Sequence, residues 1–138
     1  MSQSVETIHF TFFPERFMCD VDERPFSEQL RARVIEVGAF VHRMGKCFGL
    51  APRVKQDELA RRLADWLVRC ETQGLLPPRR HAEIAAEIVG AVWGITIAAR
   101  ASRTVERRRD AMLAIVAGTY ARAICGDPVT CLPRGKRS

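Results

Sequence analysis

A chain of 138 residues, 47% apolar and 28% charged, has the size and make-up of one ordinary globular domain. Those proportions exclude a wholly disordered chain, a collagen-like repeat and a disulfide miniprotein. The net charge is +6, and all of it lies in residues 79–138, where 11 Lys and Arg stand against 5 Asp and Glu; residues 1–78 balance at 11 of each.

The first 28 residues run the other way, with Arg16 and Arg24 against Glu6, Glu15, Asp20, Asp22, Glu23 and Glu28. An acidic front and a basic back point to a head-to-tail contact between copies, a polyanion partner, or both. Arg outnumbers Lys 19 to 3. The planar guanidinium suits bidentate phosphate recognition, although a GC-rich coding sequence produces the same ratio without selection for binding.

In chain order, residues 1–24 read as a β element. Ile8, Phe10 and Phe12 alternate with Thr7, His9 and Thr11, so each set shares one face of a strand. Pro14, Glu15 and Arg16 can turn the chain into a second short strand over residues 17–21. A lone two-stranded ribbon is marginal in water, so it packs on the rest of the protein or pairs with another chain. Phe10, Phe12, Phe13 and Phe17 fall within eight residues, which makes this edge the candidate protein interface.

Residues 25–125 read as a helical bundle. Ser27 is a fair N-cap for a first helix reaching about residue 48, with Leu30, Val34, Val37, Val41, Met44 and Phe48 in alternating steps of four and three. Gly49 and Pro52 end it. A second helix over about 56–72 turns Leu59, Leu63, Trp66, Leu67 and Cys70 inward, with the opposite charges of Glu58 and Arg62, Arg61 and Asp65, and Asp65 and Arg69 on its solvated face. Gly74, Pro77 and Pro78 break the chain again. A third helix over about 80–101 is apolar nearly all round between residues 88 and 99, which predicts the central position in the bundle. Gly90 and Gly94, four apart, fit a close approach by a neighbouring helix. A fourth helix over about 104–125 turns Val105, Met112, Ile115, Val116, Tyr120 and Ile124 inward. No Gly or Pro separates the last two, so they form either two helices or one long kinked helix. Residues 126–138, ending in Pro133, Arg134, Gly135, Lys136, Arg137 and Ser138, read as a basic flexible tail.

Cys19, Cys47, Cys70, Cys125 and Cys131 are odd in number and contain no CxxC pair, and His9, His42 and His81 are scattered. No metal-site spacing results, and no cofactor is expected. Cys47, Cys70 and Cys125 fall on apolar faces and read as small core residues. Met1 is followed by polar residues without a secretory pattern. The longest uncharged run, residues 88–99, is short for a bilayer, so a cytoplasmic protein without a membrane partner is the expectation.

The strongest candidate site is the basic cluster Arg100, Arg103, Arg107, Arg108 and Arg109, joined by Arg79 and Arg80 and by the tail. In a continuous helix Arg100, Arg103 and Arg107 share one face, and Glu106 and Asp110 are the only acids nearby. Unpaired Arg on a helix face or junction is a common way of holding phosphate backbones. No aromatic residues interleave, so contact would be to the backbone and tolerant of sequence. A solvated face, or a surface that meets the acidic front of a neighbouring copy, explains the same residues.

Other constellations are weaker. Residues 58–64 have the flavour of a first helix of a helix-turn-helix, but the apolar run continues to Cys70 and the tight turn is missing. After His42, Gly45 and Lys46 stand in the reverse of the order found in histidine phosphotransfer domains, so His42 reads as a histidine at a close helix crossing. A phosphate loop, an HExxH motif and a nucleophile elbow are all absent, and no enzymatic activity is expected. The expectation is therefore a mainly α protein, a four-helix bundle with a short N-terminal β element. It acts as a non-catalytic binding module, a subunit of a nucleoprotein complex that also contacts neighbouring subunits and self-associates. In architecture and charge it resembles the small helical subunits of CRISPR effector complexes, an analogy that carries no shared motif. The alternative is a small inhibitor or adaptor using the Phe-rich edge, and a transcription regulator comes third.

Overall fold

The computed structural model describes residues 21–47 and 52–126, with side chains over 21–43 and 55–126. The described residues form four helices and no strand: α1 (Phe26–Cys47), α2 (Pro52–Thr72), α3 (His81–Ala101) and α4 (Arg103–Cys125). Of the expected β element over residues 1–24, residues 21–24 are described and form no strand, and residues 1–20 lie outside the described residues. Phe10, Phe12, Phe13 and Phe17 are among these, and residues 127–138 of the expected tail lie outside as well.

Helix α1 starts two residues sooner than a Ser27 cap implies. The N–H groups of Glu28 and Gln29 donate to the carbonyl of Pro25 at 3.0 and 3.2 Å, which leaves Ser27 inside the first turn. Two contacts draw the start forward. Phe26 is fully buried and stacks on Trp66 with ring centroids 5.9 Å apart. The Gln29 amide, 2% exposed, accepts from the Asp22 N–H at 2.9 Å and donates to the carbonyls of Asp22 and Arg24 at 2.9 and 2.8 Å. Three backbone groups of the segment entering α1 are thereby satisfied by one side chain. Leu30, Val34, Val37 and Val41 are buried as the seam predicts, together with Phe40; Met44 and Phe48 lie outside the described side chains.

Helix α2 begins at Pro52, four residues ahead of expectation. Proline at the first helical position lacks only an N–H that would be unpaired anyway, so here it starts a helix instead of merely ending one. Leu59, Leu63, Trp66, Leu67 and Cys70 are all fully buried. The helix closes at Gly74, φ +80°, where the Gly74 N–H reaches the Glu71 carbonyl and the Leu75 N–H reaches that of Cys70, each at 2.9 Å. That paired closure needs the left-handed backbone glycine adopts freely.

Helix α3 is central: it packs against α1, α2 and α4, while α1 and α2 meet only sparingly. By length and composition it could cross a membrane, with a mean hydropathy of 1.5; a buried core helix has the same character. Its buried side is Ala85, Ile88, Val89, Val92, Trp93, Thr96 and Ala99. The Thr96 hydroxyl donates to the Val92 carbonyl at 2.8 Å, so this buried polar group is paired. The close helix approach expected at Gly90 and Gly94 lies elsewhere. A methyl group on Gly94 would meet nothing within 4 Å, and one on Gly90 only the Gln56 amide at 3.7 Å. On Gly38 it would stand 2.6 Å from Leu113 Cδ1 and 3.7 Å from Val92 Cγ1. The tight crossing is therefore α1 against α4 and α3.

The last two helices are separate. Ser102 is extended (φ −144°, ψ 122°), and its hydroxyl accepts from the Val105 N–H at 3.4 Å. The buried face of α4 differs from the predicted one. It consists of Leu113, Ala117, Ala121, Ile124 and Cys125. Of the expected residues Ile124 is buried, Val105, Met112, Val116 and Tyr120 are half-buried, and Ile115 is 64% exposed. Close packing at Gly38 leaves room for alanines beneath α1, so the small side chains take the core and the helix is rotated from the face its larger residues suggest.

Candidate nucleic-acid interface

The corner at Ser102 places a dense basic cluster at the start of α4. Arg103 is its first residue, and Arg107 and Arg108 follow within two turns; all three are exposed. None of their guanidinium groups forms a hydrogen bond or ion pair with another described residue. Glu106 is the one acid in the first turn. Arg109 is half-buried, its Nε 3.6 Å from the Asp110 carboxylate. The positive end of a helix macrodipole favours anions and disfavours guanidinium groups. Arg103, in the first turn, opposes that dipole, and the three cations repel one another; an anion would relieve both.

The rest of the predicted cluster is distributed differently. The corner parts Arg100 from Arg103, so the three-arginine stack of a continuous helix does not form. Arg100 instead donates to the carbonyls of Val41 and His42, each at 3.3 Å, and ties α3 to α1. Arg79 is committed to the far end of α4: its Nε donates to the Ile124 carbonyl at 3.1 Å and its Nη1 to that of Pro78 at 3.0 Å. It thereby satisfies a terminal carbonyl at the negative end of the helix. Arg80, 86% exposed, stands 3.6 Å from Glu83. Along α4, Arg108 and Arg103 lie about 24 and 32 Å from the Ile124 carbonyl that holds Arg79, so residues 79–80 and 103–108 do not share one patch.

A second polar constellation joins α2 to α3. His81, 7% exposed, places Nε2 2.6 Å from Glu71 Oε1. Nε2 carries the hydrogen and the carboxylate accepts it. Nδ1 is sealed from solvent and has no hydrogen-bond partner among the described residues. The pair ties the end of α2 to the start of α3. Cys70 is equally shielded: burial pushes its thiol up to about 12, against a smaller pull from Arg33. No group of three metal-ligating side chains occurs among the described residues.

Sequence reasoning missed Gln29, Glu71 with His81, and the carbonyl clamps of Arg79 and Arg100. Each joins positions from 5 to 59 residues apart. No local pattern announces the long-range ones; a lone Gln beside the α1 seam and a His opening a helix are the faint signals. No known family model, curated protein or solved structure matches this chain.

Proposed function

We propose that this protein is a non-catalytic helical module that holds a nucleic-acid backbone as a subunit of a nucleoprotein complex. The observation that carries the reading is the exposure of Arg103, Arg107 and Arg108, without partners among the described residues, at the positive end of α4. Phosphate oxygens accept from guanidinium groups in a bidentate manner and are favoured by the same helix terminus. No aromatic residue lies within residues 100–110, so bases have nothing to stack on and recognition falls on the backbone.

Binding of labelled oligonucleotides, single-stranded and duplex, followed by fluorescence anisotropy tests this. Three phosphate contacts predict a loss of about 40-fold in duplex affinity between 50 and 200 mM salt. Arg103→Glu combined with Arg107→Glu should abolish binding, whereas Arg80→Glu, at the far end of the bundle, should leave it nearly intact. Affinity unchanged in the double variant would refute the assignment.

A further inference from the structure

We propose that the partner is B-form duplex DNA and that α4 lies across its major groove. Arg103, Arg107 and Arg108 hold the phosphates of one strand and Arg122 those of the other. The inference rests on the nucleic-acid reading of the arginine cluster and adds Arg122 to it. Arg122 is exposed in the last turn of α4, and its guanidinium pairs with no described residue. Thr104, Arg108, Ala111, Ile115, Thr119 and Arg122 recur in steps of three and four, so they form one row along the helix. All six are exposed. The row is turned away from the buried Leu113, Ala117 and Ile124. It stays open because α4 packs on α1 and α3 and barely meets α2. Glu106 and Asp110, the only acids of α4, lie off the row. The helix thus presents a face with cations at both ends and no carboxylate between them.

That distribution fits two phosphate rows better than one. Fourteen residues separate Arg108 from Arg122, which is about 21 Å along the axis. The major groove of B-form DNA is about 12 Å wide and is flanked by the phosphates of both strands. Guanidinium groups at the two ends of the row therefore reach both backbones, while the cluster at 103–108 covers neighbouring phosphates of one strand. Between the ends the side chains are short apart from Ile115, so the groove can approach the helix, whose own diameter of about 10–12 Å matches its width. The minor groove, about 6 Å wide, is too narrow for a helix, and A-form RNA closes its major groove to side chains. A single strand offers one row of phosphates and leaves Arg122 unused.

The test is fluorescence anisotropy with the full chain and one sequence prepared as DNA duplex, single-stranded DNA and RNA duplex. A fourth phosphate contact raises the expected loss of duplex DNA affinity between 50 and 200 mM salt from about 40-fold to about 150-fold. Arg122→Gln should return it to about 40-fold. Single-stranded DNA, held by three contacts, should lose about 20-fold with or without Arg122→Gln, and both it and the RNA duplex should bind more weakly than the DNA duplex. A duplex salt dependence unmoved by Arg122→Gln would overturn the proposal. So would equal affinity for the single strand or for the RNA duplex. The underlying assignment fails separately, if Arg103→Glu combined with Arg107→Glu leaves binding unchanged, and absence of binding to all three probes overturns both.

Discussion

Single residues in this protein act mainly by pairing backbone groups that the helices leave over. Gln29 is the clearest case, because its amide closes the turn before α1 through three hydrogen bonds. Gln29→Leu keeps the volume but strands those groups, and urea denaturation should show a loss of about 1–3 kcal/mol; an unchanged midpoint would show that water replaces the amide. Cys70 acts by its burial. Its thiol is raised from 9.0 to about 12 by desolvation, so the neutral form is favoured in the folded state. The associated stability is whole below pH 9 and is lost as pH rises towards 12. Tyr120, raised by burial and by Glu87, adds to the same alkaline loss. The fall in urea midpoint between pH 8 and 10.5 should therefore be smaller in Cys70→Ala than in the wild type. At pH 8 iodoacetamide should leave Cys70 unlabelled until denaturant is added, and ready labelling of the native protein would contradict its burial.

At the scale of elements, the informative contrast lies between two helical glycines. Gly94 faces open space and Gly38 faces Leu113. Alanine at an exposed helix interior gains about 1 kcal/mol over glycine, so Gly94→Ala should raise the melting temperature. At Gly38 the same gain is opposed by overpacking against Leu113 and Val92, which costs about 1–3 kcal/mol. Gly38→Ala should melt below Gly94→Ala, and the reverse order would mean that α1 and α4 are looser than the structure shows. The α1 and α2 seams were readable because their buried positions are large apolar residues at regular spacing. The α4 face was not, because the residues that go inward there, Ala117 and Ala121, are weak hydrophobic signals chosen by the nearness of α1. Likewise Pro52 marks a boundary in either reading, and only the backbone beyond it shows that it begins a helix.

For the molecule as a whole, the charge asymmetry of the chain becomes a spatial one. Arg79 and Arg100 are drawn into carbonyl clamps, and Arg103, Arg107 and Arg108 are left outward at a helix terminus of the same sign. Arg103→Glu reverses an unfavourable dipole interaction in the first turn of α4, and Arg107→Glu relieves repulsion among the neighbouring arginines. The double variant should melt no lower than the wild type even as it loses oligonucleotide binding, measured by scanning calorimetry beside the anisotropy assay. A lower melting temperature would mean that these arginines hold the fold.

Composition and apolar periodicity by themselves determined a helical bundle, a central α3 and most of the inward residues of α1 and α2, since burying a regular apolar stripe is what forms such helices; the break between α3 and α4 at Ser102 they left open. They also placed the excess positive charge in the second half of the chain. Tertiary structure decided the rotation of α4, the site of the tight crossing at Gly38, and which arginines are committed to backbone and which stand exposed. Those outcomes depend on the distance between helices and on pairings between residues far apart in the chain, and such distances exist only after the chain has packed.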